Sequence, residues 1–343
     1  MGRGTVYNNI TSPELVKQIS QENKDLMNDF LEYLQSIDRA ATTIKVYRNN
    51  LEIFFVWNLQ NNNNKSFVDL SKREIAKFQN YALNTLGWGS ARMKNVKSAL
   101  SSLSTYIEDI LDDEYEDFRP IINKIKNPVS EPKREKTVLK DEEVDELLHT
   151  LVENKKYQMA CAVALAAMSG ARKSELLRFK VSYFDDENIM EGTGLYKTPE
   201  KIKTKGRGKG KMLNKYTLKD FKYYLDLWLE ERKEKGIESE WIFVGKDGEQ
   251  MKKSNLDSYA NTISNMIGKP FYFHCMRHYL CTKLSKLNIP DAVIVEYYGW
   301  GGANGGGLEM KSLYDDTEAS DDFGKYFTSD GIKAGEQKGL GDL

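Results

Sequence analysis

One stretch of linker-like composition divides this chain of 343 residues into two parts, and it limits the possible folds more than any other feature. From Asn123 to Thr137 the sequence carries Pro128, Pro132 and several lysines but few apolar residues. Such a stretch has little to anchor it in a core, so it predicts a linker. The chain is long enough for two domains of ordinary size, one on each side of that linker.

The part before the linker has the periodicity of a helical domain. Apolar residues recur at helical spacing in two successive segments: Leu26, Phe30, Tyr33 and Leu34, then Ile44, Tyr47, Leu51, Phe54 and Phe55. We expect Thr42 or Thr43 to cap the second of these helices at its N-terminus. A third helix is expected from near Ser71 and a fourth from Ser90 to Ile110.

The part after the linker combines helices with short strands. A helix is expected from near Asp141, followed by a buried helix over Tyr157 to Ser169. Val181 to Gly194 predicts a strand with a turn, and Lys201 to Leu218 predicts a β-hairpin around its glycines. Further helices are expected at Phe221 to Lys235, Ser254 to Ile267, Phe273 to Leu287, Asp291 to Tyr298, the segment ending at Tyr314, and Asp321 to Phe327.

The sequence argues against a membrane-spanning protein and against a secreted one. The longest apolar run, Met159 to Met168, is ten residues, whereas a membrane span needs about twenty. No apolar segment opens the chain, which argues against a secretory signal. Three cysteines, Cys161, Cys275 and Cys281, fit neither a disulfide framework nor a paired zinc motif. We therefore expect a reduced, intracellular protein.

The net charge of −1 conceals a segregated charge distribution. Between Lys124 and Lys140 the sequence has six Lys or Arg residues and two Glu. Between Lys197 and Lys215 it has eight Lys or Arg residues and the single acidic residue Glu200. Local basic clusters of this kind supply phosphate contacts even in a chain of neutral average charge. Two such stretches keep a nucleic-acid partner open.

The sequence matches two known motifs only in part, the paired-histidine zinc motif and the phosphate-binding loop. His274 and His278 share a helix face as zinc ligands can, but Arg277 lies beside them and no third ligand follows at an obvious spacing. The glycine-lysine stretch from Gly206 to Gly210 lacks the Gly-Lys-Ser/Thr ending of a phosphate-binding loop. We expect no metal and no cofactor.

Five short sequence motifs are more specific when taken together, in their order along the chain, than any one of them is alone. They are Ala171-Arg172-Lys-Ser-Glu175-Leu176, the lysine-rich hairpin, His274-x-x-Arg277, Gly299-Trp300 and Leu313-Tyr314-Asp315. In order and spacing they resemble the tyrosine recombinase family, the group of phage integrases, Cre and Xer proteins. The helical region around Ala41-Thr-Thr-Ile-Lys-Val-Tyr47 also resembles the core-binding domain of that family.

The resemblance implies the fold and its division. It implies a two-domain protein, with an all-α, SAM-like core-binding domain and a mixed α/β, mainly helical catalytic domain containing a small antiparallel sheet. The two domains would form a clamp around duplex DNA. The expected segments are an arm over 1–20, the core-binding domain over 21–122, a basic linker over 123–138, the catalytic domain over 139–327 and a flexible tail over 328–343.

The resemblance also implies the catalytic residues. Arg172 and Arg277 would bind the non-bridging oxygens of a DNA phosphate in fork geometry. Tyr314 would be the nucleophile, leaving a 3′-phosphotyrosine without need of ATP. His274 would accept the tyrosine proton or bind the phosphate, and Trp300 would donate its indole N–H. Glu175 and His278 would support these groups.

A lysine of the hairpin would protonate the leaving 5′-oxygen. In the family this lysine lies in the turn, which favours Lys209; Lys205 and Lys203 are the alternatives.

The chain departs from the family pattern between Trp300 and Tyr314, which are farther apart than usual. The surplus is the stretch 301–307, whose glycines allow it to loop out. Tyr326 is the nearest rival nucleophile, and Tyr297 and Tyr298 belong to the preceding helix.

The function that follows is site-specific recombination of double-stranded DNA for a phage or other mobile element. The partners would be an inverted-repeat DNA site, three further copies of the chain in a synaptic tetramer, and an accessory directionality or DNA-bending protein, with no membrane. The location would be the cytoplasm, at the nucleoid. DNA contacts are expected at Thr43, Lys45, Arg92, Lys94, Lys133, Arg134, Lys136, Lys203, Lys205, Arg207 and Lys211.

Two other functions remain open at the level of sequence. One is a DNA-binding protein of the same fold that does not exchange strands. The other is an enzyme of the same chemistry, a hairpin telomere resolvase or a type IB topoisomerase.

Overall fold

The computed structural model describes residues 7, 10–129, 137–205, 211–300, 306–317, 327–328 and 331–332. These residues form two compact units, one up to residue 129 and the other from residue 137 onward. The predicted stretches Lys133 to Lys136 and Gly206 to Gly210 lie outside the described residues.

The first unit is helical throughout its regular structure. Its helices are α1 (Pro13–Gln18), α2 (Gln21–Ser36), α3 (Ala41–Asn61), α4 (Lys72–Asn80) and α5 (Ser90–Ile110). A π-helical turn over Tyr81–Thr85 follows α4, and short 3-10 turns cover Phe67–Asp69 and Ile122–Lys124. A core rich in aromatic side chains lies between α2, α3, α4 and α5.

Local sequence explains where most of these helices begin. Ser71 accepts the backbone N–H of Glu74 while the Glu74 carboxylate accepts the backbone N–H of Ser71, a reciprocal cap that starts α4. The expected cap of α3 is wrong. That helix begins at Ala41 after Ala40, which has no side-chain acceptor, and residues 42 and 43 already lie inside it.

The second unit surrounds one buried helix. Its helices are α6 (Asp141–Glu153), α7 (Tyr157–Ser169), α8 (Lys173–Leu176), α9 (Phe221–Glu234), α10 (Lys253–Ile267), α11 (Phe273–Lys286), α12 (Asp291–Tyr298) and α13 (Gly307–Tyr314). Residues 160–167 of α7 are all buried, because small alanines there let α6, α9 and α11 pack closely around it.

Three antiparallel pairs of short strands complete the unit. β1 (Leu195–Lys197) pairs with β4 (Tyr216–Leu218), β2 (Ile202–Lys205) with β3 (Lys211–Leu213), and β5 (Phe327–Thr328) with β6 (Gly331–Ile332). The β2–β3 pair is the predicted hairpin, and its register shifts between Lys203 and Lys205.

Two predicted elements differ from the structure. The strand expected between Val181 and Gly194 is absent: 3-10 turns cover Val181–Phe184 and Asp186–Asn188. The neighbouring Tyr183 and Phe184 side chains are both buried, which an alternating strand does not allow. The helix expected over Asp321 to Phe327 lies outside the described residues except for Phe327, which belongs to a strand.

Among the described residues, no helix combines the length and the apolar character that crossing a bilayer requires.

Candidate active site

The end of α7 places the first arginine. Gly170 closes the helix in the left-handed region, at φ 58°, where glycine is favoured. A side chain at this position would also collide with Tyr298, whose ring would lie 2.4 Å from an added Cβ. The chain then turns sharply, and Arg172 precedes the first turn of α8.

Glu175 fixes Arg172 through two contacts. One carboxylate oxygen, Oε1, lies 2.9 Å from Arg172 Nη1, and the other, Oε2, accepts the Arg172 backbone N–H at 3.0 Å. Glu175 is fully buried, whereas the Arg172 side chain is 28% exposed. The arginine is therefore anchored at one edge and open to solvent at the other.

Arg277 lies on α11 and is fully buried. Its Nη1 donates to the Gly170 carbonyl, the atom that ends α7. Its Nε and Nη2 have no hydrogen-bond partner among the described residues. Because a buried charged donor without a partner is costly, these two N–H groups point to an anion as their partner.

Aromatic rings enclose the Arg277 guanidinium. Its Cζ lies 4.5 Å from the centre of the Tyr298 ring and 5.0 Å from the rings of both Trp300 and Tyr314. Cation–π contacts of this kind hold an arginine in one orientation. Trp300 Nε1 is also buried without a partner among the described residues, as a third donor beside the two of Arg277.

Tyr314, the last residue of α13, packs inside this cluster. Its ring stacks on Trp300 with centroids 5.2 Å apart and lies 5.2 Å from the His274 ring and 4.8 Å from the His278 ring. Tyr314 is 9% exposed. The tyrosine therefore contacts Arg277 and both histidines of its own chain.

Two contacts attach the segment after Tyr314 to α11. The Asp316 backbone N–H donates to Thr282 Oγ1 at 3.0 Å, and its carboxylate lies 3.2 Å from His278 Nδ1. His278 therefore links α11 to the segment that follows Tyr314. Within the described residues, no group of His, Cys, Asp and Glu could hold a metal ion.

The environment of His274 favours its neutral form. Loss of hydration lowers the pKa of His274 to about 4, and the nearby charges of His278, Arg277 and Arg172 act in the same direction. A neutral imidazole at physiological pH has a nitrogen able to accept a proton.

The hydroxyls of Tyr297 and Tyr298 both donate to backbone carbonyls. The Tyr297 hydroxyl donates to the Met168 carbonyl at 2.5 Å, and the Tyr298 hydroxyl donates to the Arg277 carbonyl at 3.0 Å. Burial raises the pKa of both phenols. Tyr326 lies outside the described residues.

The hairpin approaches the same cluster. Lys211 Nζ donates to the Gly299 carbonyl at 2.8 Å, and Arg178 Nη1 donates to the Lys203 carbonyl. Lys205 ends β2, while Lys209, the preferred proton donor, lies outside the described residues.

The candidate DNA contacts of the first unit have different surroundings. Lys45 and Lys94 are exposed, and Thr43 is half-buried. Arg92 lies over the Trp88 ring at 5.0 Å and donates to Asn50 Oδ1 at 2.7 Å, so part of its guanidinium is already used inside the domain. Lys133, Arg134, Lys136 and Arg207 lie outside the described residues.

Comparison with known families agrees with this arrangement. The profile of the Phage integrase family matches residues 137–304, and that of the phage integrase N-terminal SAM-like domain matches residues 26–117. The chain belongs to the phage integrase family. It is therefore an enzyme of the tyrosine site-specific recombinase class, with a SAM-like helical domain before a mainly helical catalytic domain. The fold class predicted from sequence is confirmed.

Two bacterial proteins are similar to this chain over most of its length. The SPbeta prophage-derived recombinase-like protein YomM of Bacillus subtilis (strain 168) is 27% identical over 293 residues, which are 82% of this chain and 85% of that protein. The TnP I resolvase of Bacillus thuringiensis is 23% identical over 263 residues, 75% of this chain and 85% of that protein.

Solved structures share the integrase fold. A lambda integrase dimer bound to a COC′ core site matches with a TM-score of 0.63 and 16% identity, covering 91% of this chain and 83% of that one. XerH bound to a palindromic difH substrate in a post-cleavage complex matches with a TM-score of 0.60 and 20% identity, covering 82% and 78%.

One buried charged residue at this integrase site was missed by sequence reasoning. Lys215 is 2% exposed, and its Nζ lies 3.0 Å from Glu175 Oε2. In the sequence it is one of eight basic residues in a basic stretch, and nothing in its neighbours distinguishes it from the solvated ones.

Proposed function

We propose that this integrase cleaves and rejoins DNA at a specific site through a 3′-phosphotyrosine intermediate on Tyr314. The observation that carries the proposal is the set of buried donors around this tyrosine. Arg277 Nε, Arg277 Nη2 and Trp300 Nε1 have no partner among the described residues, and all belong to rings or groups packed against Tyr314. A phosphate would satisfy them.

The arginines would supply the electrostatic part of catalysis. Attack on a phosphodiester builds negative charge on the non-bridging oxygens, and preorganised donors stabilise that charge without reorganising. Arg172 offers the edge of its guanidinium that Glu175 does not occupy, and Arg277 offers its two unpaired groups.

Proton transfers would complete the reaction. The Tyr314 hydroxyl attacks phosphorus, its proton passes to neutral His274, and the 5′-oxygen leaves with a proton from a hairpin lysine. Lys209 is our candidate for this acid, with Lys205 and Lys203 as alternatives. Rejoining runs the same steps in reverse with the 5′-hydroxyl of a second strand as nucleophile.

Tyr314 has to move before this can happen. Its ring covers Arg277, which is fully buried, so a phosphate can reach that guanidinium only after the ring turns aside. We propose that DNA binding shifts α13, which carries Tyr314 as its last residue.

The biological setting forms part of the same proposal. We infer an inverted-repeat DNA site, a synaptic complex of four copies, an accessory DNA-bending or directionality protein, and action at the nucleoid in the cytoplasm. Lambda integrase bound to a Holliday junction is a tetramer, and one relative is described as prophage-derived. A phage or other mobile element is therefore the proposed source of the substrate.

Capture of the covalent intermediate tests the reaction. A binding site is selected from a random-sequence duplex library by repeated gel shift and rebuilt with a nick beside the cleaved bond, so that the short product diffuses away. Wild type should accumulate as a slow-migrating adduct on a denaturing gel. If no selected site yields an adduct, the chain binds DNA without strand exchange.

Peptide mapping of that adduct identifies the nucleophile. Trypsin places Tyr314 in the peptide 312–325, Tyr326 in 326–333, and Tyr297 with Tyr298 in 287–311. We expect the 3′-nucleotide on peptide 312–325, no adduct from Tyr314→Phe, and normal adduct from the matched Tyr326→Phe. A nucleotide on either other peptide would make the assignment wrong.

A further inference from the structure

Lys215 is a buried lysine for which the reaction above has no use. It lies between β3 and β4 and is 2% exposed. Lysine is rarely buried this fully unless its ammonium group has a partner that replaces water. Its position therefore needs an explanation.

The backbone around Lys215 directs the side chain inward. Its N–H donates to Thr198 Oγ1 at 3.0 Å, and its carbonyl accepts the Thr198 N–H at 2.9 Å. Asn214 Nδ2 donates to the Thr198 carbonyl at 2.6 Å. These bonds hold residue 215 against the end of β1, so its ammonium group has little freedom to leave the interior.

The ammonium group meets the carboxylate that anchors Arg172. Lys215 Nζ lies 3.0 Å from Glu175 Oε2, and Arg172 Nη1 lies 2.9 Å from Glu175 Oε1. One buried carboxylate is thus shared between two cations. The Glu175 oxygen nearer Lys215 also accepts the Arg172 backbone N–H.

The shared carboxylate has a consequence for charge. With Arg172 alone, Glu175 would neutralise the arginine and compete with a phosphate for it. With Lys215 present, the three groups together keep a positive charge, to which Arg277 adds a second. Charge pairs interact strongly in a site with little water, so this surplus favours a bound phosphate.

We propose that Lys215 is a positioning residue for strand cleavage. Lys215 binds Oε2 of Glu175, so that this carboxylate orients Arg172 without cancelling the positive charge of the arginine. The inference rests on the proposed function, because it concerns the same phosphate. Lys215 acts through Glu175 and Arg172 and does not touch DNA.

The pKa values agree with the shared carboxylate. Burial by itself raises the pKa of Glu175, but the Lys215 charge, followed by the contacts with Arg172, brings it below its usual value. Burial lowers the pKa of Lys215, and the Glu175 carboxylate opposes that shift.

Lys215→Met tests the inference, since methionine keeps the length of the side chain and removes the charge. We expect site binding to be retained and the rate of adduct formation at saturating enzyme to fall roughly 10- to 100-fold, the effect of a displaced catalytic group. Adding Glu175→Gln should recover part of that rate, because the glutamine side-chain oxygen can still accept from Arg172 but carries no charge that neutralises the arginine. A rate unchanged in Lys215→Met, or no recovery in the double variant, overturns the proposal.

A substrate with sulfur at the 5′-bridging position separates positioning from acid catalysis. Sulfur leaves without a proton, so the substrate restores a variant that lacks the general acid. We expect no restoration for Lys215→Met; restoration would make Lys215 the acid and the proposal wrong. Lys97→Met is the matched control, because Lys97 is also buried but donates to the Ile125 carbonyl in the other unit. It should lose stability without this loss of rate.

Thermal unfolding without DNA keeps the test independent of the reaction. If wild type forms no adduct, the proposed function fails, and the ion pair is judged by unfolding alone. Lys215→Met leaves a buried carboxylate with one partner fewer, so the double variant with Glu175→Gln should unfold at a higher temperature than Lys215→Met. A double variant that unfolds at a lower temperature would show that the two residues do not act as a pair.

Discussion

At the scale of single residues, Arg172 and Arg277 are both arginines of the site but are held in different ways. Arg172 is bound at one edge by Glu175 and is partly exposed. Arg277 is enclosed by rings and donates once, to the carbonyl that ends α7. Each leaves part of a planar, multi-donor group for a ligand, a geometry that lysine cannot reproduce.

Replacing Arg172 with lysine therefore separates binding from cleavage. Lysine keeps the charge but cannot bind Glu175 and a phosphate oxygen at fixed angles, so we expect gel-shift affinity near wild type and adduct formation reduced about 100-fold or more. The control change Arg178→Lys alters a half-buried arginine that donates to the Lys203 carbonyl, and it should be far milder. Wild-type cleavage by Arg172→Lys would place the site elsewhere.

The lowered pKa of His274 predicts an unusual pH dependence. Its pKa of about 4 lies below the ordinary value of 6.5, so the ring should stay neutral from pH 8 to near pH 5. Adduct formation should therefore show no loss centred near pH 6.5 and should decline only toward pH 4. The imidazole resonances of His274, assigned by comparison with His274→Gln, measure the pKa directly.

The lowered pKa of His274 also makes the stability of the folded chain depend on pH. The unfolded chain binds a proton at His274 below about pH 6.5, whereas the native chain resists doing so until about pH 4. The stability that this group contributes is thus present above pH 6.5 and is lost as the pH falls through that window. A midpoint for the His274 resonance at 6.5 or higher would contradict both statements.

At the scale of elements, the site depends on how α7 ends. Gly170 ends the helix, its carbonyl accepts from Arg277, and its Cα faces the ring of Tyr298 that lies over the same arginine. Hairpin strand β3 reaches the end of α12 through Lys211. The arginines are therefore placed by the junctions between elements.

Gly170→Ala tests the importance of that junction. The substitution combines a left-handed φ with a clash against Tyr298, so we expect a loss of about 2 kcal/mol or more in unfolding free energy. Cleavage should fall as well, because the displaced ring contacts Arg277.

Gly268→Ala is the control for this change, because Gly268 ends α10 at φ 69° with nothing within 4 Å of an added Cβ. It should cost only the backbone component, about 1 kcal/mol. Equal losses in chemical denaturation would show that the Tyr298 contact contributes nothing.

At the scale of the whole molecule, a nearly neutral chain is expected to bind a polyanion. The net charge is −1, yet seven basic residues fall between Lys197 and Lys211. Binding through such local clusters releases counterions from DNA, and its strength depends on salt rather than on the average charge of the protein.

Site affinity should accordingly fall steeply with salt. If about six phosphates are contacted, the association constant should drop about 1,000-fold between roughly 50 and 200 mM salt. Lys45→Gln and Lys94→Gln, at exposed positions of the first unit, should each reduce the slope by about one. Affinity that does not change with salt would exclude the proposed phosphate contacts.

Most helices and the order of the site residues could be predicted from the sequence. Helical periodicity located α5 and α12 at their observed bounds, and the glycine at 170 marked the end of α7. Arg172, His274, Arg277 and Trp300 were selected by their motifs, and the structure brings His274, Arg277 and Trp300 into contact with Tyr314. Local signals sufficed here because caps, periodicity and glycine turns are properties of short stretches.

Which charged residues are buried, and what each ring contacts, depends on the tertiary structure. Lys215 looks like its solvated neighbours until β1 and β4 pair and turn it toward Glu175, which lies forty residues earlier. The segment from Val181 forms 3-10 turns because Tyr183 and Phe184 both find places in the core. Burial and long-range pairing are properties of the assembled chain, because the groups that replace water around a side chain come from distant parts of the sequence.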